Sequence, residues 1–161
     1  MKRYAFPALV ALAVAVGWVL ALPSAPMAQP IAFNHAKHAS AGCVLCHQGA
    51  EAGVRAGIPQ ADTCSSCHAT KPGPGISDAA WSDIAAGKRI AWVRLTRVPD
   101  HVVFSHRRHT GPGQLACASC HGDMAQRTAP PARAATRLVM DTCLSCHKRE
   151  SASEDCAGCH R

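Results

Sequence analysis

The amino-acid sequence predicts a mostly irregular fold with short α-helices, arranged as two small modules, and three observations lead there. Ten cysteines and ten histidines stand beside only seven aromatic residues in 161, so side chains alone supply little material for an ordinary apolar core. No long run has a period of 2 or 3.6, which argues against an extensive sheet or a helical bundle. The cysteines and histidines also recur in a duplicated order, the mark of a repeated unit.

Lys2 and Arg3 open the chain as a positive region, and Ala8 to Leu22 is an uncharged apolar run ended by Pro23-Ser24-Ala25-Pro26. This is the layout of a secretory signal peptide. Pro26 sits where cleavage after Ala28 would want a small residue. Counted from Ala5 the apolar stretch reaches 18 residues, near the roughly 20 that a membrane-spanning helix needs. Residues 1–28 are therefore read as a signal peptide or an N-terminal membrane anchor, with anchoring through residues 5–22. Both place the rest outside the cytoplasm, in the periplasm, either soluble or held at the inner membrane.

Residues 29–70 form the first module, 71–100 a linker and 101–161 the second module. Phe33-Asn34-His35-Ala36-Lys37-His38 and Phe104-Ser105-His106-Arg107-Arg108-His109 both read F-x-H-x-x-H. Asp62-Thr63-Cys64-Ser65-Ser66-Cys67-His68 is echoed by Asp141-Thr142-Cys143-Leu144-Ser145-Cys146-His147. The linker opens with Lys71-Pro72-Gly73-Pro74-Gly75, which cannot continue a helix. Ser77 is positioned to cap a helix over Asp78 to Ala86, stopped by Gly87. Ile90 to Val98 reads as one extended segment closed by Pro99-Asp100. One or two helical turns are expected before each cysteine pair, and loop elsewhere.

Every cysteine belongs to a C-x-x-C-H motif: Cys43/Cys46/His47, Cys64/Cys67/His68, Cys117/Cys120/His121, Cys143/Cys146/His147 and Cys156/Cys159/His160. Two cysteines three apart can each form a thioether to one vinyl group of a single haem, and the histidine that follows reaches the iron. Five copies predict five covalently bound haem c groups. Structural zinc prefers closed four-ligand sets and does not require a histidine beside the second cysteine in every copy. A thioredoxin-like pair needs a βαβ pattern that is lacking, and disulfide frameworks rarely repeat one uniform spacing.

Removing the five motif histidines leaves five more, His35, His38, His101, His106 and His109, for five sixth positions. Met124 and Met140 are the rival ligands, and sulfur ligation would raise a haem's potential. With two nitrogens on each iron no position stays open, so reduction of a small molecule is disfavoured and electron relay is the expected role. The alternative is a multihaem reductase of a small molecule with one open haem site. No catalytic residue is assigned. From Gln29 onward there is too little chain to enclose five haems separately, so they must pack against one another.

These residues resemble the class III cytochromes c, small periplasmic proteins with bis-histidine haems in which F-x-H-x-x-H precedes the first haem motif and serves two haems. The resemblance implies that His35 pairs with His47 and His106 with His121. His38 and His109 would then serve the haems of His68 and His147, leaving that of His160 to His101. An exchange of His38 with His101 across the module boundary stays open. The stretches Trp92-Val93-Arg94-Leu95, Val98 to His106 and Cys117 to Met124 are similar to the pentahaem cytochrome subunit of alternative complex III and of related quinone reductase complexes. That likeness implies a non-catalytic subunit of a respiratory oxidoreductase complex, with a quinone-linked membrane enzyme and a periplasmic carrier as redox partners.

The formal charge of +7 would ordinarily suggest nucleic acid or an anionic membrane surface. Two propionates on each of five haems offset that excess, so no nucleic-acid partner is expected and the holoprotein should be near neutral or acidic. Arg89, Arg94, Arg97, Arg107 and Arg108 are expected to pair with propionates, or else to face an acidic redox partner.

Overall fold

A computed structural model describes residues 10–14, 16–18 and 27–160. The expected signal peptide or anchor falls mostly outside these residues; 10–14 and 16–18 are helical. Among the described residues no helix is long and apolar enough to cross a membrane.

The elements are short and follow one another with little regular pairing. A 3-10 helix, Ala36–Ala41, precedes α1 (Cys43–Cys46) and α2 (Ala61–Ser65); α3 (Asp78–Ala85) lies in the middle of the chain. The second half holds α4 (His106–Thr110), α5 (Ala118–His121), a 3-10 turn Met124–Gln126, α6 (Met140–Arg149) and α7 (Cys156–Cys159). The only β contact among the described residues is an isolated antiparallel bridge between Val102 and His160.

The helix expected in the linker forms where its signals lie. The Ser77 hydroxyl accepts from the Ala80 backbone N–H at 3.1 Å, satisfying one of the free donors of the first turn. At the other end Ala86 closes α3, and Gly87 turns the chain away at φ 69°, a left-handed conformation that glycine adopts without steric cost. Ile84 is the face that buries. With Ala61, Ile76 and Ile90 it makes up the entire set of buried side chains among the described residues, and Ile31, Trp81 and Trp92 pack around them.

That cluster binds the 71–100 span to the first module. The Ile90 N–H donates to the Gln60 side chain at 2.9 Å, and the Trp92 indole N–H donates to the Pro59 carbonyl at 2.7 Å. Val93 and Gln29 exchange two hydrogen bonds, at 2.8 and 3.0 Å. The expectation of one extended segment over Ile90–Val98 is corrected here. It forms no strand: Trp92 N–H bonds back to the Ile90 carbonyl at 2.9 Å, and the chain bends again at Leu95. An i to i+2 hydrogen bond turns the backbone within three residues, and Ile90 and Trp92 pack in the cluster of Ala61 and Ile84.

A second correction concerns the helical turns. They do not simply precede the cysteine pairs but contain them in α1, α6 and α7, while Cys117 is the N-cap of α5. Beyond Ile90 not one described side chain is buried. Backbone hydrogen bonds help hold the second module: Val103 N–H to Cys159 carbonyl at 2.8 Å within it, and Ala36 N–H to Arg127 carbonyl at 2.9 Å across to the first.

Candidate functional site

Each C-x-x-C-H motif is a single helical turn. The N–H of the histidine donates to the carbonyl of the first cysteine in His47 (2.9 Å), His68 (3.0 Å), His121 (3.0 Å) and His160 (2.8 Å), while the fourth motif lies inside α6. One turn places residues i and i+3 on the same face, so both thiols of a pair point one way. All ten cysteines are free and none is buried.

The spare histidines come to the motif histidines in pairs. Ring centroids lie 6.1 Å apart for His38 and His68, 5.7 Å for His101 and His160, 6.4 Å for His106 and His121, and 6.2 Å for His109 and His147. An imidazole nitrogen sits about 2 Å from a first-row metal and about 1 Å from its own ring centre, so two rings on opposite sides of one iron should be about 6 Å apart. The observed distances meet that requirement. The remaining histidine, His35, is close enough to His47 to feel it: burial, then His47, then His38 hold its pKa below the usual histidine value. His121 is lowered likewise, by burial first and then by His106 and His47.

A backbone carbonyl fixes the orientation of five of these rings through Nδ1. His47 donates to Gly57 (3.0 Å), His38 to Asn34 (2.9 Å), His106 to Val54 (3.3 Å), His109 to Ser105 (2.8 Å) and His147 to Ser153 (2.5 Å). A carbonyl can only accept, so the proton is on Nδ1 and the Nε2 lone pair is free for a metal. His35 Nδ1 is buried with no partner.

Sequence reasoning recognised F-x-H-x-x-H as a repeat but missed what its phenylalanine does. Phe33 meets His35 edge-on (4.8 Å, 87°) and stacks on His38 (4.6 Å, 27°); Phe104 meets His106 (4.9 Å, 89°) and His109 (4.6 Å, 26°) in the same way. One ring thus braces two histidines that lie near different motifs. Its conserved place in both copies was the available signal. His101 is placed otherwise: the Val102–His160 bridge sets it against His160. Of the rival sulfur ligands, Met140 is 58 % exposed and Met124 lies in a 3-10 turn.

Neighbouring cysteines show which motifs adjoin. The Cys64 thiol is pushed up by burial and then by Cys46, that of Cys117 by burial and then by Cys43, and that of Cys120 by burial and then by Cys146 and Cys143. The first four motifs therefore follow one another as 64–67, 43–46, 117–120 and 143–146. Among the described residues no three His, Cys, Asp or Glu groups converge as a metal-binding set. Closed zinc sites need four such ligands; facing histidine pairs beside cysteine turns suit haem c. Arg89, Arg94, Arg97, Arg107 and Arg108 are all exposed, with Arg97 bound to both oxygens of Asp100 at 3.3 Å.

Comparison with known proteins agrees with this geometry. Residues 20–92 match the class III cytochrome c family, and residues 102–161 match cytochrome c7 and related cytochromes c. The chain is 30 % identical to the multihaem cytochrome c subunit of menaquinone reductase from Nitratidesulfovibrio vulgaris, over 83 % of its own length and 77 % of that protein. It is 27 % identical to the high-molecular-weight cytochrome c of the same organism, over 74 % of this chain and 25 % of that longer protein.

Proposed function

The chain belongs to the class III and c7-type multihaem cytochromes c, and from that premise we propose that it is a periplasmic pentahaem electron carrier working with a quinone-dependent membrane complex. The observation that carries this reading is the set of facing imidazoles: His68, His121, His147 and His160 each face a second histidine, with ring centroids 5.7–6.4 Å apart. Haem c, when bound, supplies the one-electron couple. The polypeptide tethers through Cys43, Cys46, Cys64, Cys67, Cys117, Cys120, Cys143, Cys146, Cys156 and Cys159. His47, His68, His121, His147 and His160 would ligate the irons, together with His35, His38, His106, His109 and His101.

With two histidines for each haem, the iron would have no position left for substrate, which favours relay over catalysis. The adjoining motifs bring successive cofactors close, as tunnelling requires. The quinone-linked role is supported by the name of the relative that this chain matches over most of both lengths, and export by Lys2, Arg3 and the apolar run behind them.

Intact mass of the protein from its native host tests the proposal directly. The expected result is the polypeptide plus five haems, which fixes the mature N-terminus at the same time. Fewer than five would overturn the pentahaem reading. Carbon monoxide binding to the reduced protein separates the two roles: no binding is expected of a relay, whereas stoichiometric binding at one haem would favour the reductase.

A further inference from the structure

The two F-x-H-x-x-H elements hold their phenylalanine against both histidines in the same way and differ at Nδ1 of the first histidine. His35 Nδ1 is buried and unpartnered, whereas its counterpart His106 Nδ1 reaches the Val54 carbonyl at 3.3 Å. Val54 belongs to the other module. It lies on the loop that follows the first haem motif, and that loop is internally closed: Gly53 N–H donates to the Gly49 carbonyl at 2.8 Å and Gly57 N–H to the Gln48 carbonyl at 2.7 Å. Two of its carbonyls receive imidazoles from different sites, Gly57 that of His47 at 3.0 Å and Val54 that of His106. Three more contacts seat it on α4. His106 N–H donates to Val54 at 3.0 Å, Arg107 N–H to Gly53 at 2.9 Å, and the Thr110 hydroxyl is shared between Ala50 at 3.3 Å and the His106 carbonyl of its own helix at 3.1 Å.

We propose that residues 48–57 are a positioning loop shared by two haem sites, orienting His47 and His106 together and so coupling the Cys43/Cys46 haem to the Cys117/Cys120 haem. The proposal rests on the haem reading above. An Nδ1–H bonded to a carbonyl fixes the ring plane and makes the other nitrogen a stronger donor to its metal. One rigid loop therefore sets donation at both sites, and a shift of its backbone is felt at both. No single-module feature would have this effect.

Gly49 is the place to disturb it without touching a ligand. Its φ is 83°, and a Cβ there would come 3.0 Å from the Arg55 carbonyl, so Gly49→Ala must move the loop. Gly87→Ala is the control, with a similar φ of 69° and open space around it. Both variants are made in the full-length holoprotein, the haem count is checked by mass, and each haem is followed by its methyl proton resonances and by redox titration. In Gly49→Ala the resonances and midpoints of the Cys43/Cys46 and Cys117/Cys120 haems should shift together while the other three stay in place; Gly87→Ala should move none of the five. A change at one of the two alone, at all five, or at none would overturn the proposal. If Gly49→Ala does not accumulate, Thr110→Val loosens the loop from α4 without strain. A smaller shift at the same two haems is then expected, and no shift at either would overturn it. Wild-type protein lacking one of these two haems would remove the underlying reading and this proposal with it, an outcome the mass distinguishes from a loop that fails to couple them.

Discussion

His101 shows how much a single side chain depends on backbone elsewhere. It lies outside the repeat, yet the Val102–His160 bridge and the Val103–Cys159 hydrogen bond set its ring 5.7 Å from His160, at 16°. If it ligates there, His101→Ala leaves one iron five-coordinate and the others unchanged. Reduced protein should then bind one equivalent of carbon monoxide per chain; a variant that binds none would remove His101 from the ligand set. Phe104 makes the opposite kind of prediction, since its ring touches both His106 and His109. Phe104→Leu should perturb the low-spin electron paramagnetic resonance signals of two haems, with the first module's signals unmoved. At this scale the sequence was legible by stoichiometry, five motif histidines against five spare ones. It was silent on the carbonyls of Gly57, Asn34, Val54, Ser105 and Ser153, because any residue presents a carbonyl and only the folded path decides which one meets an imidazole.

Among the elements, α3 was the most readable, because a cap and a stop are local chemistry. Ser77 bonds the Ala80 N–H and Gly87 takes the left-handed turn; neither needs a distant partner. Ser77→Ala should cost about 1 kcal/mol, seen as a lower thermal midpoint, because α3 carries Ile84 of the small core. Asp78 stands next to it in the first turn and is fully exposed, with its carboxyl held below the ordinary range by the hydrogen bond from Lys71 and then by that residue's charge. Its contribution is present above the ordinary carboxylate pKa and is lost as pH falls through the lowered one. Since solvent screens such a pair, Asp78→Asn should leave the thermal midpoint at neutral pH nearly unchanged, and a drop as large as that of Ser77→Ala would show the pair to be structural. The Ile90–Val98 stretch was misread for an instructive reason. β-branched composition describes a residue that fits a half-buried surface, and Ile90 and Trp92 found that surface against α2 and Pro59 rather than in a sheet.

For the whole molecule, the duplication and the count of motifs were visible in the chain, whereas the interlocking of its halves was not. Nothing in the spacing of residues 48–57 announces that they seat α4, or that Ala36 would bond Arg127. Charge belongs to this scale as well. The polypeptide alone has a pI near 9.1, and propionates should bring the holoprotein well below it on isoelectric focusing. A band at the polypeptide's own value would show that they are missing or neutralised. The second half of the molecule has a further consequence for its life in the cell. Residues 101–160 enclose no side chain of their own, so before maturation they have no compact state to reach, since ordering a backbone without burying apolar surface is uphill. Such a thread suits translocation and keeps every attachment sequence accessible to the ligation machinery. It is equally open to proteolysis, so cells starved of porphyrin should contain fragments or nothing in place of a colourless intact protein: supply of the pigment would set the abundance of the polypeptide.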